Sequence, residues 1–169
     1  MQLWLLRHAK SSWSDPGLPD EDRPLAPRGE KASDRMRGYI AAEGLGPQLV
    51  LCSSAVRARQ TLARVLPALG GELRVQIEPA LYTFEADALL DRLARIPSDV
   101  SSVLLVGHNP AMQGLVARVA DRGDALPDVL RKYPTAGLAE ITFADGTWGS
   151  LAEKPGQLVR FIAPRDLTA

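Results

Sequence analysis

The sequence predicts a three-layer α/β/α sandwich with a mostly parallel sheet. Three observations carry that expectation. Short branched apolar runs, Leu3-Trp4-Leu5-Leu6, Leu49-Val50-Leu51 and Val103-Leu104-Leu105-Val106, are too short to span a membrane and read as strands buried on both faces. Stretches with helical apolar spacing separate them, so strand and helix alternate along the chain. Two further strand-like stretches, residues 137–143 and 157–162, close the chain around Asp145-Gly146, which suits an edge hairpin or meander.

Taken in order, the first strand stops at Arg7 and His8. Residues 14–27 then form a loop, because five prolines and glycines there exclude a regular helix. Its closeness in sequence to the first strand suggests that it flanks the reactive end of that strand, and for its acidic residues, Asp15, Asp20, Glu21 and Asp22, a solvated polar loop is at least as good a reading. A helix follows from Arg28-Gly29 to about Glu43, with Met36, Tyr39 and Ile40 on one face, closed by Gly44, Gly46 and Pro47. The second strand covers about residues 48–52. Ser53 or Ser54 can cap the next helix, which Pro67 should end. Arg57 falls in its first turn, and Gln60, Thr61 and Arg64 share its face, whereas Arg59 points elsewhere. A short strand over residues 74–77 precedes a helix opened by Glu85-Ala86-Asp87 and ending before Pro97. The third apolar strand, about residues 102–106, delivers His108. Asn109 can cap the helix after it, with Pro110 in the first position. Residues 121–134 read as irregular, and residues 164–169 as a fraying tail.

Composition narrows the function classes. The 169 residues suit one domain over residues 1–169 with a full core. Formal net charge is zero, which gives no electrostatic case for nucleic acid or a membrane surface. A single cysteine excludes an internal disulfide framework and a cysteine zinc cage. Arg7 interrupts the N-terminal apolar run early, unlike a signal peptide, and no stretch is long enough to cross a bilayer. The expectation is a cytoplasmic protein.

The chemistry collects at strand ends. Both histidines of the chain, His8 and His108, follow apolar strands, and Arg7 and Arg57 stand beside two of the three strand tips. In open α/β sheets such ends form the reactive crevice. Two guanidinium groups with two imidazoles suit a tetrahedral oxyanion, and a phosphoryl group is the natural ligand. The histidine adjacent to the strand-tip arginine can attack phosphorus in line, while the other cationic groups stabilise the equatorial oxygens. The arginines neutralise the charge, so no metal or other cofactor is expected. No carboxylate stands at metal-ligand spacing from either histidine.

The stretch Leu6-Arg7-His8-Ala9-Lys10-Ser11-Ser12-Trp13 resembles the N-terminal signature of the histidine phosphatase superfamily, in its phosphohistidine phosphatase branch. Asp22-Arg23-Pro24-Leu25 with Arg28-Gly29, the run from Cys52 to Thr61, Val106-Gly107-His108-Asn109-Pro110 and Pro134-Thr135-Ala136 match in the expected order. The resemblance implies a phosphoglycerate mutase-like fold without a large cap insertion. It makes His8 the nucleophile that carries a transient phosphoryl group, with Arg7, Arg57 and His108 completing the phosphate pocket and Ser11 able to reach the phosphate. Arg23 and Thr135 fit either pocket support or structure, and Asn109 fits a helix cap better than a ligand. Many members place a glutamate general acid between the second and third of the apolar strands. Here that region reads Pro79-Ala80-Leu81-Tyr82-Thr83-Phe84-Glu85-Ala86-Asp87, leaving Glu85 and Asp87 as the nearest acids. Acids in a first helical turn are favoured by the helix dipole alone.

An absent acid suits a phosphohistidine substrate, whose imidazole leaves more readily than an alkoxide. The short segment before the third apolar strand should leave the site open to a phosphorylated protein. A histidine-containing phosphotransfer protein, of a two-component or phosphotransferase system, is the expected partner. The alternatives are a phosphatase for small phosphate esters using Glu85 or Asp87 as acid, and a phosphate-binding or phosphohistidine-binding module without turnover. A cysteine-based phosphatase loop from Cys52 to Arg57 would be one residue short.

Overall fold

The computed structural model describes residues 1–167. Seven strands form one sheet in the order β3-β2-β4-β1-β6-β7-β5. They are β1 (Gln2–Arg7), β2 (Leu49–Ser53), β3 (Arg74–Glu78), β4 (Ser102–Gly107), β5 (Ala120–Arg122), β6 (Leu138–Thr142) and β7 (Gly156–Ile162). Only β6 runs against the rest, so the sheet is mostly parallel, as the alternation of strands and helices predicts.

Side chains of the central strands alternate between two cores. Leu3, Leu5, Leu49, Leu51, Val103 and Leu105 face one layer, and Trp4, Leu6, Val50, Cys52, Leu104 and Val106 face the other. Burial on both faces is why these strands are continuous apolar runs in sequence. Helices α1 (Pro27–Glu43) and α2 (Val56–Val65) cover the second face. Helices α3 (Ala86–Ala94), α4 (Ala111–Val119) and α5 (Leu126–Arg131) cover the first. Each fully buried Leu or Val adds roughly 1.5–3 kcal/mol relative to leaving it exposed.

Local signals place most helix ends. Pro27 opens α1 at a position where its missing N–H costs nothing. Gly44 stops it in the left-handed conformation at φ 66°, where a residue without Cβ is unstrained. Leu89 and Leu93 bury the inner face of α3.

Five expectations are corrected. Residues 121–134 are not irregular throughout: β5 pairs with β7 at the sheet edge, and α5 forms because Pro127 sits in its first turn, where proline is tolerated. The last two long strands pair antiparallel, as a hairpin or meander requires, but do not end the sheet. β7 lies between β6 and β5, and the connection past Asp145-Gly146 includes a 3₁₀ turn at Trp148–Ser150. Helix α2 is preceded by Ala55 rather than capped by Ser53 or Ser54, and Ser53 Oγ instead accepts the Ala55 N–H at 3.2 Å. Pro110 precedes α4 rather than opening it, while Asn109 Oδ1 accepts the Gln113 N–H at 3.3 Å. Of the expected fraying tail, Pro164–Asp166 is a 3₁₀ turn, and residues 168–169 lie outside the described residues. Among the described residues no helix is long and apolar enough to cross a membrane.

Candidate active site

Register brings the site together. β2, β4 and β1 are neighbours and parallel, so their carboxyl ends lie at one rim of the sheet. Arg7 pairs with Gly107, which sets the next residues, His8 and His108, at the same level. Cys52 pairs with Val106, so Ser53 falls opposite Gly107. The two imidazoles meet with ring centroids 5.0 Å apart. Arg57 reaches them from the first turn of α2. Its Nε donates to His8 Nε2 at 3.3 Å, and its Nη2 to His108 Nδ1 at 3.4 Å.

These partners fix the protons. His8 Nδ1 lies 2.7 Å from the Ala9 carbonyl oxygen, which can only accept, so Nδ1 carries the hydrogen and Nε2 presents its lone pair. His108 takes the opposite tautomer: its Nδ1 faces the Arg57 donor, and its Nε2–H donates to Ser53 Oγ at 2.7 Å. Burial and the adjacent cations hold both rings neutral. His8 is lowered to about 3 and His108 to about 4, with burial the larger cause in each.

The scaffold around this pair is tied down from several elements. Thr61 Oγ1 accepts the Ala9 N–H at 2.9 Å and donates to the Arg57 carbonyl at 2.7 Å, linking the loop after His8 to α2. Gln60 accepts the Leu25 N–H at 2.7 Å. Arg64 pairs with Glu30 and Asp34 of α1, and Arg59 stays at the surface, bonded to the Ser54 carbonyl. Arg7 Nη1 donates to the Tyr133 carbonyl at 2.5 Å, and the buried Tyr133 hydroxyl donates to the Leu5 carbonyl at 2.6 Å. Burial lowers the Arg7 pKa, but a guanidinium starts so high that it stays charged.

A hollow of about 190 Å³ opens onto this cluster, lined by Arg7, His8, Ser11, Arg57 and Thr135 and rimmed by Trp13. Ser11 is buried, and its hydroxyl accepts a hydrogen bond from Arg23 Nη2. Arg23 also donates to the Ser12 carbonyl, and its guanidinium stacks 3.2 Å from the Trp13 ring centroid. Arg23 therefore shapes the loop and contributes to the lining. A larger hollow, about 660 Å³, lies by Met1, Glu43 and Arg160. It contains an Arg160 ion network with Glu43 and Glu140 but neither histidine, so size does not mark the chemistry here.

The acids are not where the sequence directs attention. Asp87 is exposed and pairs with Arg118 of α4 at 2.7 Å. Glu85 is exposed immediately before α3, with no hydrogen bond from its carboxylate to either histidine. The side chains of that segment that meet His108 are Tyr82 and Phe84, edge-on at centroid distances of 5.3 and 5.7 Å. The carboxylate at the site is Asp20, from the loop expected either to flank the site or to be solvated. Its Oδ2 accepts from Arg57 Nη2 at 2.9 Å and from the Tyr82 hydroxyl at 2.6 Å, and its Oδ1 pairs with Arg23 at 2.9 Å. The Tyr82 hydroxyl, followed by Arg57, holds the Asp20 carboxyl below its ordinary pKa.

Cys52 is fully buried in the α1/α2 core, and burial pushes its thiol up to about 12. That environment silences a thiolate nucleophile and rules out the cysteine-based alternative. Among the described residues no group of three His, Cys, Asp or Glu is placed to hold a metal.

Known proteins resemble this chain over most of its length. The model of the histidine phosphatase superfamily (branch 1) matches residues 3–85, a span containing Arg7, His8, Ser11 and Arg57. An uncharacterised protein of Mycobacterium tuberculosis is 34% identical over 164 residues, covering 95% of this chain and 100% of its own length. A solved structure bearing the name phosphohistidine phosphatase SixA, from Agrobacterium tumefaciens, is 32% identical, covers 96% of this chain and 97% of its own, and superposes with a TM-score of 0.80. The phosphohistidine phosphatase SixA of Escherichia coli is 26% identical over 152 residues, 89% of this chain and 90% of that protein. The likeness runs through both halves of the sheet and both histidine-bearing strands, and the chain belongs to the histidine phosphatase superfamily, in its SixA-like branch.

Proposed function

We propose that this protein removes phosphoryl groups from phosphohistidine on a partner protein, through a covalent intermediate on His8. One observation carries the reading: the Ala9 carbonyl holds the proton on His8 Nδ1, so Nε2 is unprotonated, and His8 lines a hollow with Arg7, Arg23 and Arg57, where a phosphoryl group takes the place of the Arg57 Nε–H that Nε2 accepts in the free protein. A neutral imidazole with its lone pair directed at a bound phosphoryl group is a competent nucleophile.

The reaction follows from that geometry. His8 Nε2 attacks phosphorus in line, and the P–N bond to the substrate imidazole breaks. The departing nitrogen keeps the electron pair and takes a proton from solvent. Water then attacks the phosphoryl group on His8, the P–N bond to Nε2 breaks with its electron pair returning to that nitrogen, a water proton passes to solvent, and inorganic phosphate leaves. Arg7 and Arg57 hold the equatorial oxygens. His108 joins them by taking up a proton on Nδ1 when the phosphoryl dianion arrives, since an anion beside the ring raises its pKa. Its Nε2–H stays on Ser53, which fixes the ring plane. Ser11 contributes through its place in the lining, with its hydroxyl held by Arg23.

Two features support a protein substrate. The hollow is small and its rim is open, so a phosphorylated side chain can enter while its backbone stays outside. Trp13, in the lining of the hollow, is 69% accessible, and Phe84, edge-on to His108, is 43% accessible, both of the type enriched at protein interfaces. The test is phosphate release from a histidine-phosphorylated phosphotransfer domain by the wild type and by His8→Ala. Rapid release that disappears in the variant is expected. His8-dependent hydrolysis of small phosphate esters alone would move the substrate to metabolites. Binding of phosphate with no turnover of either substrate would make the protein a recognition module.

A further inference from the structure

The hollow over His8 does not end at the phosphoryl site. Arg7, Lys10 and Thr135 also line a second hollow of about 480 Å³, which continues outward to Arg28, Lys132 and Arg165. Five of its lining residues are cationic and none is acidic. This concentration is local, because the chain as a whole has no net charge. Among the described residues, no carboxylate lies within ion-pairing distance of Lys10, Arg28 or Lys132, whereas nine of the fifteen basic residues outside the groove have an ion-pair partner. Arg165 has only a loose contact with its neighbour Asp166, at 3.5 Å. The floor between the charges is apolar, made by Ala32, Pro134, Ala163 and Pro164.

We propose that this groove docks acidic side chains that flank the phosphohistidine of the partner protein. The proposal rests on the phosphohistidine phosphatase reading and adds the feature by which the partner is chosen. The cations come from five separate places: the end of β1, the loop after it, the start of α1, the segment after α5 and the C-terminal 3₁₀ turn. Long, separately rooted charges over an apolar floor suit carboxylates spaced along an extended chain. A second phosphate of a small substrate would call for convergent donors, such as a bidentate arginine with backbone N–H groups. The continuity through Lys10 and Thr135 means that a chain entering His8's hollow has its neighbouring residues over these charges.

Two histidine-phosphorylated peptides test this, identical except for glutamates or glutamines beside the phosphohistidine. They are compared on the wild type and on Arg28→Ala/Lys132→Ala, both exposed positions outside the His8 hollow. The wild type should show a KM about tenfold lower for the acidic peptide at low salt, the sum of several exposed charge pairs, with the advantage shrinking as salt rises. The double variant should lose that preference, with kcat on the glutamine peptide unchanged, which also shows that it folds. Equal KM for both peptides in the wild type, or a preference that survives in the double variant, overturns the groove and leaves the enzyme reading intact. Hydrolysis of phosphoramidate with neither peptide turned over overturns the protein-substrate reading and the groove with it. A small bisphosphate whose KM alone rises in the double variant would assign the groove to a second phosphate and overturn the acidic-chain proposal.

Discussion

Asp20 shows how much one side chain can set at this site. Arg57 must give its donors to a phosphoryl group, yet in the free protein its Nη2 is held by the Asp20 carboxylate and its Nη1 by the Asp20 carbonyl. An incoming phosphate therefore competes with an internal anion. Removing the carboxylate should strengthen phosphate binding. The side chain of Asp20 is 45% accessible, so the contact is partly screened and worth ~1 kcal/mol at most. Asp20→Ala is expected to lower the inhibition constant for inorganic phosphate by about two- to fivefold, with Asp20→Asn intermediate. Weaker phosphate inhibition in Asp20→Ala would instead make the carboxylate part of the binding site, acting by orienting Arg57 and Tyr82.

At the scale of elements, the site depends on how closely α1 seats under the loop after β1. Gly29 makes the contact: a Cβ built there would stand 2.2 Å from the Lys10 carbonyl oxygen and 2.9 Å from its nitrogen, both backbone atoms. Neither can swing away, so α1 or the loop must shift. The loop carries Ala9 and Lys10, and Ala9 holds the His8 ring. Gly29→Ala should therefore cost about 1–3 kcal/mol of stability and reduce phosphatase activity together. Gly38, on the exposed side of the same helix, meets nothing within 4 Å, and Gly38→Ala should stabilise by roughly 0.5–1 kcal/mol through helix propensity, with activity unchanged. Urea unfolding of the two variants checks both signs. Equal stabilisation by both would show that α1 has room to move away from the loop.

At the scale of the whole molecule, the parallel centre of the sheet was legible because burial on both faces writes itself as an unbroken apolar run. The residue after such a run is then a strand-end residue, and His8, His108 and Arg7 could be placed on that ground alone. Arg57 followed from the helix register after β2. Asp20 and Tyr82 were not legible in the same way. Asp20 lies in a loop without periodicity and meets Arg57 across 37 positions of sequence, through a fold-back that no local pattern encodes. β5 is three residues long, below the length at which alternation can be recognised, and α5 was hidden by a proline that reads as a breaker until its position in the first turn is known. What the strand-end placement does imply globally is a pH dependence of stability. Both histidines are buried and neutral, at about 3 and about 4, against an ordinary 6.5 in the unfolded chain. Between those values the unfolded state binds protons that the native state refuses. Stability should be full above pH 6.5 and decline as the pH falls toward 4, by up to about 1.4 kcal/mol per pH unit for each histidine. The Asp20 carboxyl acts in a lower window, since its depressed pKa lies below the usual 3.8 and its contribution is lost only there. Urea midpoints at pH 7.5 and pH 5 should differ for the wild type and converge for His8→Gln/His108→Gln. A double variant that keeps the full acid sensitivity would place its origin in other groups and would mean that the two imidazoles already accept protons in the native protein.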